Sequence, residues 1–299
     1  MQKTSVYLPE RLKLALSARA AATGRSEAEV VRAAVEAEVR AGPGPIADAP
    51  ERAVPGRLVG VGVGPGHPDL LTVRAVNALR RANSVLAPAT APDAVGRAEA
   101  VVRQALPALV IHRVVFNMSP DASARHDAVE AVATTLAGHL ERGEEVAFVT
   151  LGDPLTYSTF SSVAAAVRRL RPSSEVIQVP GIMAFQALAA ETGTVLADEK
   201  TRLVVRTALE GEDLSAEMVD PDVTLVVYKG GRRLPEVAAS AAAAGRGERA
   251  VAGELLGMPG ARVGPLRDVA AHGPASYLAT VIVPADPTHP ERRAPGSPR

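Results

Sequence analysis

The 299-residue chain contains no cysteine, which excludes disulfides, thiolate catalysis and cysteine-ligated metals. Neither charge sign is in surplus: 33 basic and 33 acidic side chains give a formal net charge of +0. No global field therefore draws the protein toward nucleic acid or a membrane surface. No run of 18 apolar residues occurs and the first residues lack a signal-peptide core, so a soluble, cytoplasmic protein without a membrane span is expected. Lysine is scarce, with only Lys3, Lys13, Lys200 and Lys229. The remaining basic residues are arginine, and beside the abundant alanine this reads first as a GC-rich genome. His112, His126 and His139 stand at no ligand spacing, and no metal is expected. With 47% hydrophobic residues, the length suffices for two domains with cores of their own.

What the chain does have is organised around Arg57–Thr72, a buried-strand pattern running into glycine at 60, 62, 64 and 66 with Pro65 between the last two. Glycines there would let a ligand approach the backbone closely. A dinucleotide fingerprint does not fit, because its third glycine would fall on Pro65 or His67 and no acidic residue follows about 20 residues on. Thr72 is placed to cap a helix over Val73–Ala82, with Val73, Val76, Ala78 and Leu79 inward.

Residues 1–41 read as a separate strand–helix–helix unit. Lys3–Pro9 alternates like a short strand, with Val6 and Leu8 on one face and Lys3, Ser5 and Tyr7 on the other. A helix over Glu10–Thr23 turns Leu12, Leu16 and Ala20 inward. Ser26 and Glu29 then form a capping box for a second helix carrying Val30, Val31, Ala34 and Val35. This unit resembles the ribbon-helix-helix family of DNA-binding dimers. The resemblance implies a homodimer with Lys3, Ser5 and Tyr7 facing DNA; the alternative is a dimerisation element that touches none. Residues 42–55 read as a proline-stiffened linker and 286–299 as a disordered tail.

Between them strands and helices alternate, which predicts an α/β fold with largely parallel sheets in two domains, 56–194 and 195–285. Strands are expected at Ser84–Ala87, within Ala108–Phe116, and at Glu145–Leu151, Glu175–Val179, Thr201–Arg206, Val223–Tyr228, Arg249–Glu254 and Tyr277–Val283. Helices are expected over Ala124–Arg142, Ser158–Arg169, Ala184–Glu191 and Leu234–Ala244. Ligands of open α/β sheets sit beyond the carboxyl ends of the strands. Gly64–Gly66, Gly152–Pro154, Pro180-Gly181 and Lys229–Gly231 all fall at such ends, so one crevice is expected.

Gly62–Gly66 with Pro68–Thr72, Thr150–Phe160 and Val179–Ile182 together resemble the tetrapyrrole methylase family over roughly Gly56–Pro284. Within it, Gly152–Phe160, Phe116–Met118 and Tyr228–Gly231 are most similar to the precorrin-2 C-20 methyltransferases of cobalamin biosynthesis. The resemblance implies a homodimeric, two-domain enzyme with S-adenosylmethionine in the interdomain cleft. It implies that Pro65, Gly152, Asp153, Thr156, Tyr157, Ser158, Met183, Ala184, Lys229 and Leu256 line the cofactor pocket. His67 stands where the family has aspartate, and Met183 and Ala184 replace its small polar pair.

Methyl transfer from a sulfonium needs no metal or nucleophile triad, only positioning and exclusion of water. Tyr157 and Glu254 are candidates for a general base. Asp153 either meets the ligand or satisfies loop amides, as aspartate in a Gly-Asp-Pro turn does. The acceptor of such an enzyme carries many carboxylates, so rim arginines could clamp it; Arg232 and Arg233 are the first candidates, with Arg113 beside them. The alternatives are a DNA-binding regulator with a methylase-like sensor, or a methylase of the same fold with another acceptor.

Overall fold

A computed structural model describes residues 10–41, 56–116, 121–198, 200–209 and 212–286. By contacts the chain divides into two compact units, Met1–Ala53 and Val54–Arg299. In the first, helices α1 (Glu10–Thr23) and α2 (Glu27–Ala41) follow the expected pattern. The capping box forms: Glu29 accepts the Ser26 amide at 2.8 Å, and the Glu29 amide donates to Ser26 Oγ at 3.3 Å. Among the side chains described there only Ala20 is buried, and Leu12 and Val35 point to solvent. Of the rest of the expected inward face, Leu16, Val30 and Val31 are half-buried within this unit and Ala34 is exposed. The strand expected over 3–9, with Lys3, Ser5 and Tyr7, lies outside the described residues, as do the linker 42–55 and residues 287–299 of the tail.

The second unit holds two five-stranded sheets. The first runs in the order β3 (Ile111–Val115), β2 (Ser84–Ala89), β4 (Glu145–Thr150), β1 (Arg57–Gly62), β5 (Glu175–Val179). All its pairings are parallel. Its central strands are buried on both faces, which is why Val59, Val61, Val146, Phe148 and Val149 read as continuous apolar runs. Helices α3 (Val73–Arg81) and α4 (Arg97–Ala105) cover one face; α5 (Ala122–Glu141) and α6 (Phe160–Leu170) cover the other. Thr72 caps α3, its Oγ1 accepting the Ala75 amide at 3.1 Å. The buried stripe of α3 is Ala75, Ala78 and Leu79, while Val73 is exposed, contrary to the expected stripe. At the first helical position Val73 faces away from the turn that packs.

The second sheet departs from the expected parallel pattern. Its order is β6 (Arg202–Thr207), β7 (Val223–Tyr228), β10 (Thr280–Val283), β8 (Val251–Glu254), β9 (Arg262–Pro265). Only β6 and β7 are parallel; β10 runs antiparallel between β7 and β8, and β8 returns as the antiparallel β9 through the loop 255–261. Consequently β10 begins where β7 ends. Helices α8 (Ser215–Val219), α9 (Leu234–Ala243) and α10 (Leu266–Ala270) pack on one face and α7 (Ala184–Thr192) on the other.

At the amino ends of the first sheet Glu144 accepts from Arg142 Nε at 2.6 Å and Ser84 Oγ at 3.1 Å, and meets His139 Nδ1 at 2.7 Å. Led by the His139 bond, and against the opposing effect of burial, these hold its carboxyl at about 2, down from 4.5. A depressed carboxylate stabilises the fold above its unfolded value and loses that contribution as pH falls through its folded value. Acid unfolding of Glu144→Gln should therefore lack a component on the order of 2 kcal/mol that the parent loses between pH 4.5 and 2. Urea titrations of both proteins across that range would show it; parallel pH profiles would contradict it.

Candidate active site

One cleft of about 520 Å³ opens at the carboxyl end of the first sheet and is closed on the other side by the second. The loops after β1, β2, β4 and β5 supply Pro65, Arg97, Asp153 and Met183; the second sheet supplies Tyr228 and Lys229 from the end of β7, Leu256 and Met258 from the β8–β9 turn, and Tyr277. The volume is that of an ordinary small-molecule site, with an apolar lining and few polar groups.

The glycines of the opening loop serve a purpose other than the expected one. A Cβ on Gly60 would meet the Phe160 ring at 2.4 Å, and one on Gly62 would meet the Gly152 carbonyl oxygen at 2.5 Å. What approaches these backbones is therefore the protein itself. Gly62, Gly152 and Gly181 draw the ends of β1, β4 and β5 together, and the Gly152 amide donates to the Gly64 carbonyl at 2.8 Å. Gly66 likewise lies against the Leu256 carbonyl, bringing the β8–β9 turn onto the β1 loop.

Asp153 locks the same junction. Its Oδ1 accepts the Leu155 amide at 2.8 Å and its Oδ2 the Gly181 amide at 3.1 Å. Of the two roles open to it, satisfying loop amides is the one its carboxylate performs, while the residue still borders the cleft. Ser158 Oγ accepts the Phe160 amide at 3.1 Å and meets Thr150 Oγ1 at 2.9 Å, which shapes the turn into α6.

Backbone strain concentrates here. Three non-glycine residues are left-handed among those described: Tyr157 (φ 50°), Lys229 (φ 58°) and Leu255 (φ 52°). All three line the cleft. Each costs roughly 1–2 kcal/mol, and such strain tends to persist at functional sites. Tyr157 stands edge-on to Tyr228 with ring centroids 6.0 Å apart and donates its hydroxyl to the Val205 carbonyl at 3.0 Å. The Tyr228 hydroxyl accepts the Phe185 amide at 3.3 Å, and burial pushes its pKa up to about 12.

All ten residues assigned to the cofactor pocket border this cleft. Other proposed site residues do not. Glu254 is buried away from the lining, where Arg262 and the Ser276 amide occupy its two oxygens. Burial would raise its pKa, but those hydrogen bonds prevail and hold it below the ordinary value. It is an anchor for the 276 loop, and a base at that position would need a free oxygen. Arg113 is also committed: Nε and Nη2 grip the fully buried Glu99 at 2.7 and 3.0 Å, and Nη1 donates to the Pro92 carbonyl. Arg233 donates to the Leu209 and Glu212 carbonyls, and Arg232 is exposed outside the cleft. His67 accepts the Asp69 amide at 3.2 Å and caps the short turn at Pro68–Leu70.

The arginine that does line the cleft is Arg97, which the sequence reading passed over. It opens α4 just beyond the carboxyl end of β2, and its Nη2 donates to Ser276 Oγ at 3.0 Å. The rule that places ligands beyond strand ends applies to β2 as much as to the four loops singled out, so the signal was present.

The family model for Tetrapyrrole (Corrin/Porphyrin) Methylases matches residues 57–270. The chain belongs to this family. Methylases of this family use S-adenosylmethionine, and the chain is an S-adenosylmethionine-dependent tetrapyrrole methylase. It is 35% identical over 240 residues to the precorrin-2 C(20)-methyltransferase of Sinorhizobium sp., spanning 77% of this chain and 95% of that one. It is 31% identical over 230 residues to the cobalt-precorrin-2 C(20)-methyltransferase of Salmonella typhimurium, spanning 76% and 96%. Among solved structures, a cobalt precorrin-4 methyltransferase shares the fold with a TM-score of 0.59 at 20% identity, covering 76% of this chain and 94% of that one. A uroporphyrin-III C-methyltransferase of Thermus thermophilus, complexed with S-adenosylhomocysteine, does so with a TM-score of 0.52 at 23% identity, covering 76% and 96%.

The residues present fit the methylase cofactor. The cleft is large enough for it, its walls are mainly apolar, and the left-handed residues Tyr157, Lys229 and Leu255 all line it. Among the described residues no helix is long and apolar enough to cross a membrane.

Proposed function

We propose that the protein transfers a methyl group to C-20 of precorrin-2 or its cobalt-containing counterpart. The observation that carries this reading is the pair of relatives above 30% identity, each matched over nearly its whole length and each named for C-20 methylation of that skeleton. The cleft between the segments 56–194 and 195–285 is read as an interdomain site for both cofactor and acceptor. Pro65, Gly152, Asp153, Thr156, Tyr157, Ser158, Met183, Ala184, Lys229 and Leu256 are assigned to the cofactor side, several of them through backbone atoms and Lys229 through its backbone alone.

S-adenosylmethionine supplies a methyl on a sulfonium sulfur, which passes in line to an electron-rich carbon. The chain's own contribution is placement and exclusion of water. Asp153 is the one acidic side chain among the described lining residues, and it is spent on two backbone amides. Tyr228 stays protonated at neutral pH, and Tyr157 uses its hydroxyl as a donor to Val205. Neither tyrosine is therefore poised to take the proton that the acceptor carbon releases, and Tyr157 contributes its ring as a wall.

The test is turnover. Purified protein, S-adenosylmethionine and enzymatically made precorrin-2, with and without cobalt, should yield a tetrapyrrole carrying one added methyl by mass. S-adenosylhomocysteine should raise Tm with concentration, as a ligand of the native state alone does. Thermal stabilisation without transfer to either acceptor would remove the C-20 reading.

A further inference from the structure

We propose that Arg97 and Lys229 form a two-point clamp for carboxylate groups of the methyl acceptor, and that the Lys229 side chain serves the acceptor, not the cofactor. The proposal rests on the reading of the acceptor as a polycarboxylate tetrapyrrole. Among the described lining residues these two are the side-chain cations of the cleft. They come from opposite walls, Arg97 from the start of α4 and Lys229 from the end of β7.

One short segment joins them. Arg97 Nη2 donates to Ser276 Oγ at 3.0 Å, and the Lys229 ammonium lies 5.8 Å from the ring centroid of the next residue, Tyr277. The same ammonium is 5.9 Å from the Tyr157 ring. Two aromatic faces thus hold it at the outer range of a cation–π contact, with no hydrogen bond or ion pair to it among the described residues. Glu254 steadies this arrangement from below by accepting the Ser276 amide at 2.6 Å.

Charge decides which ligand the two cations serve. S-adenosylmethionine sets a sulfonium and an ammonium against a single tail carboxylate and is net cationic, so an unpaired ammonium in a partly desolvated cleft gains less from it than from a polycarboxylate. A carboxylate-rich acceptor gains from the same ammonium, and from the guanidinium donors of Arg97 that Ser276 leaves free to grip a carboxylate side-on. Lys229 occupies a left-handed conformation at φ 58° that glycine would adopt without strain, so the side chain is held there against backbone preference.

The test uses the full chain and three variants, Arg97→Gln, Lys229→Met and Lys229→Gly. Each should raise KM for precorrin-2 at least tenfold with a much smaller change in kcat, while S-adenosylhomocysteine affinity by calorimetry stays within twofold. Lys229→Gly should also match or exceed the parent in Tm, since it relieves the left-handed backbone; this separates lost recognition from lost folding. Binding of uroporphyrin III as a polycarboxylate probe, in the presence of S-adenosylhomocysteine, should weaken in all three variants and become less sensitive to salt. A parent that binds the probe through these residues yet does not methylate precorrin-2 would remove the C-20 reading and leave the clamp standing. Variants that keep the parent's acceptor KM and probe affinity, or a Lys229 variant that loses cofactor affinity instead, would overturn the clamp.

Discussion

Arg246→Leu is expected to destabilise the Val54–Arg299 unit by about 4 kcal/mol, or roughly 10 °C in Tm for a unit of this size. Arg246 is buried and its guanidinium donates to six backbone carbonyls. Nη1 reaches those of Glu217, Met218 and Asp220 at 3.0, 2.8 and 3.0 Å. Nη2 reaches those of Val223, Val283 and Pro284. One side chain thereby ties α8, the start of β7 and the end of β10 together. Leucine fills part of the volume but leaves these acceptors buried without donors, which costs far more than the lost attraction. Lysine would restore a charge with at most three donors from one point, so Arg246→Lys should recover less than half of the loss. The cleft lies at the opposite ends of β7 and β10, and S-adenosylhomocysteine affinity of the folded protein should be unchanged. Urea and thermal unfolding measure the first effect and calorimetry the second. A loss below about 1 kcal/mol would mean that water satisfies those carbonyls.

Gly181→Ala should act at the other end, on the site itself. A Cβ there would fall 2.0 Å from the Gly152 carbonyl oxygen and 2.9 Å from Gly62 Cα, both backbone atoms that no side-chain rotation can clear. The ends of β1, β4 and β5 must separate, and the bond from the Gly181 amide to Asp153 goes with them. We expect S-adenosylhomocysteine affinity to fall at least tenfold, about 1.4 kcal/mol, with a drop in Tm beside it. Gly264→Ala is the control, because its Cβ would meet nothing within 4 Å. Equal affinity in the two variants would show that the three-glycine junction does not shape the pocket.

Much of the fold was legible in the sequence because its signals are local. Ser26 with Glu29, and Thr72 before Val73, announce helix starts through side chains that do cap them. The strands Glu175–Val179 and Val223–Tyr228 are bounded as their apolar runs suggest. Helix α4 escaped notice because Gly96 precedes it and offers no capping side chain. Helices α8 and α10 are five residues each, too short for a helical period to register. Strand β9 is four residues with a glycine and a proline. The directions of strands in the second sheet were not legible at all: alternation of strands and helices suggests parallel pairing, and nothing local says that β10 inserts backwards between β7 and β8.

The site divides along similar lines. Positions carried by loop motifs converge on one cleft, since small residues at strand ends are a local signal with a spatial meaning. The arginines do not, because composition supplies many of them and their partners are remote in sequence. Arg113 finds Glu99 and Arg233 finds the Leu209 and Glu212 carbonyls, whereas Arg97 meets Ser276 from 179 residues away. The glycines near residue 62 were read as room for a ligand, yet the approaching atoms belong to other loops of the same unit. In both cases the residue type was informative and the partner was not.

The central claim is that this cleft directs a methyl to one carbon of the tetrapyrrole ring. Its most direct test is the position of the label after reaction of precorrin-2 with S-adenosylmethionine carrying a carbon-13 methyl. The account predicts one enriched methyl resonance, on C-20, appearing at least tenfold more slowly at limiting cofactor in Gly181→Ala and at the parent's rate in Gly264→Ala. Enrichment at another ring carbon, or C-20 methylation at the parent's rate when the Gly62–Gly152–Gly181 junction is broken, would contradict it.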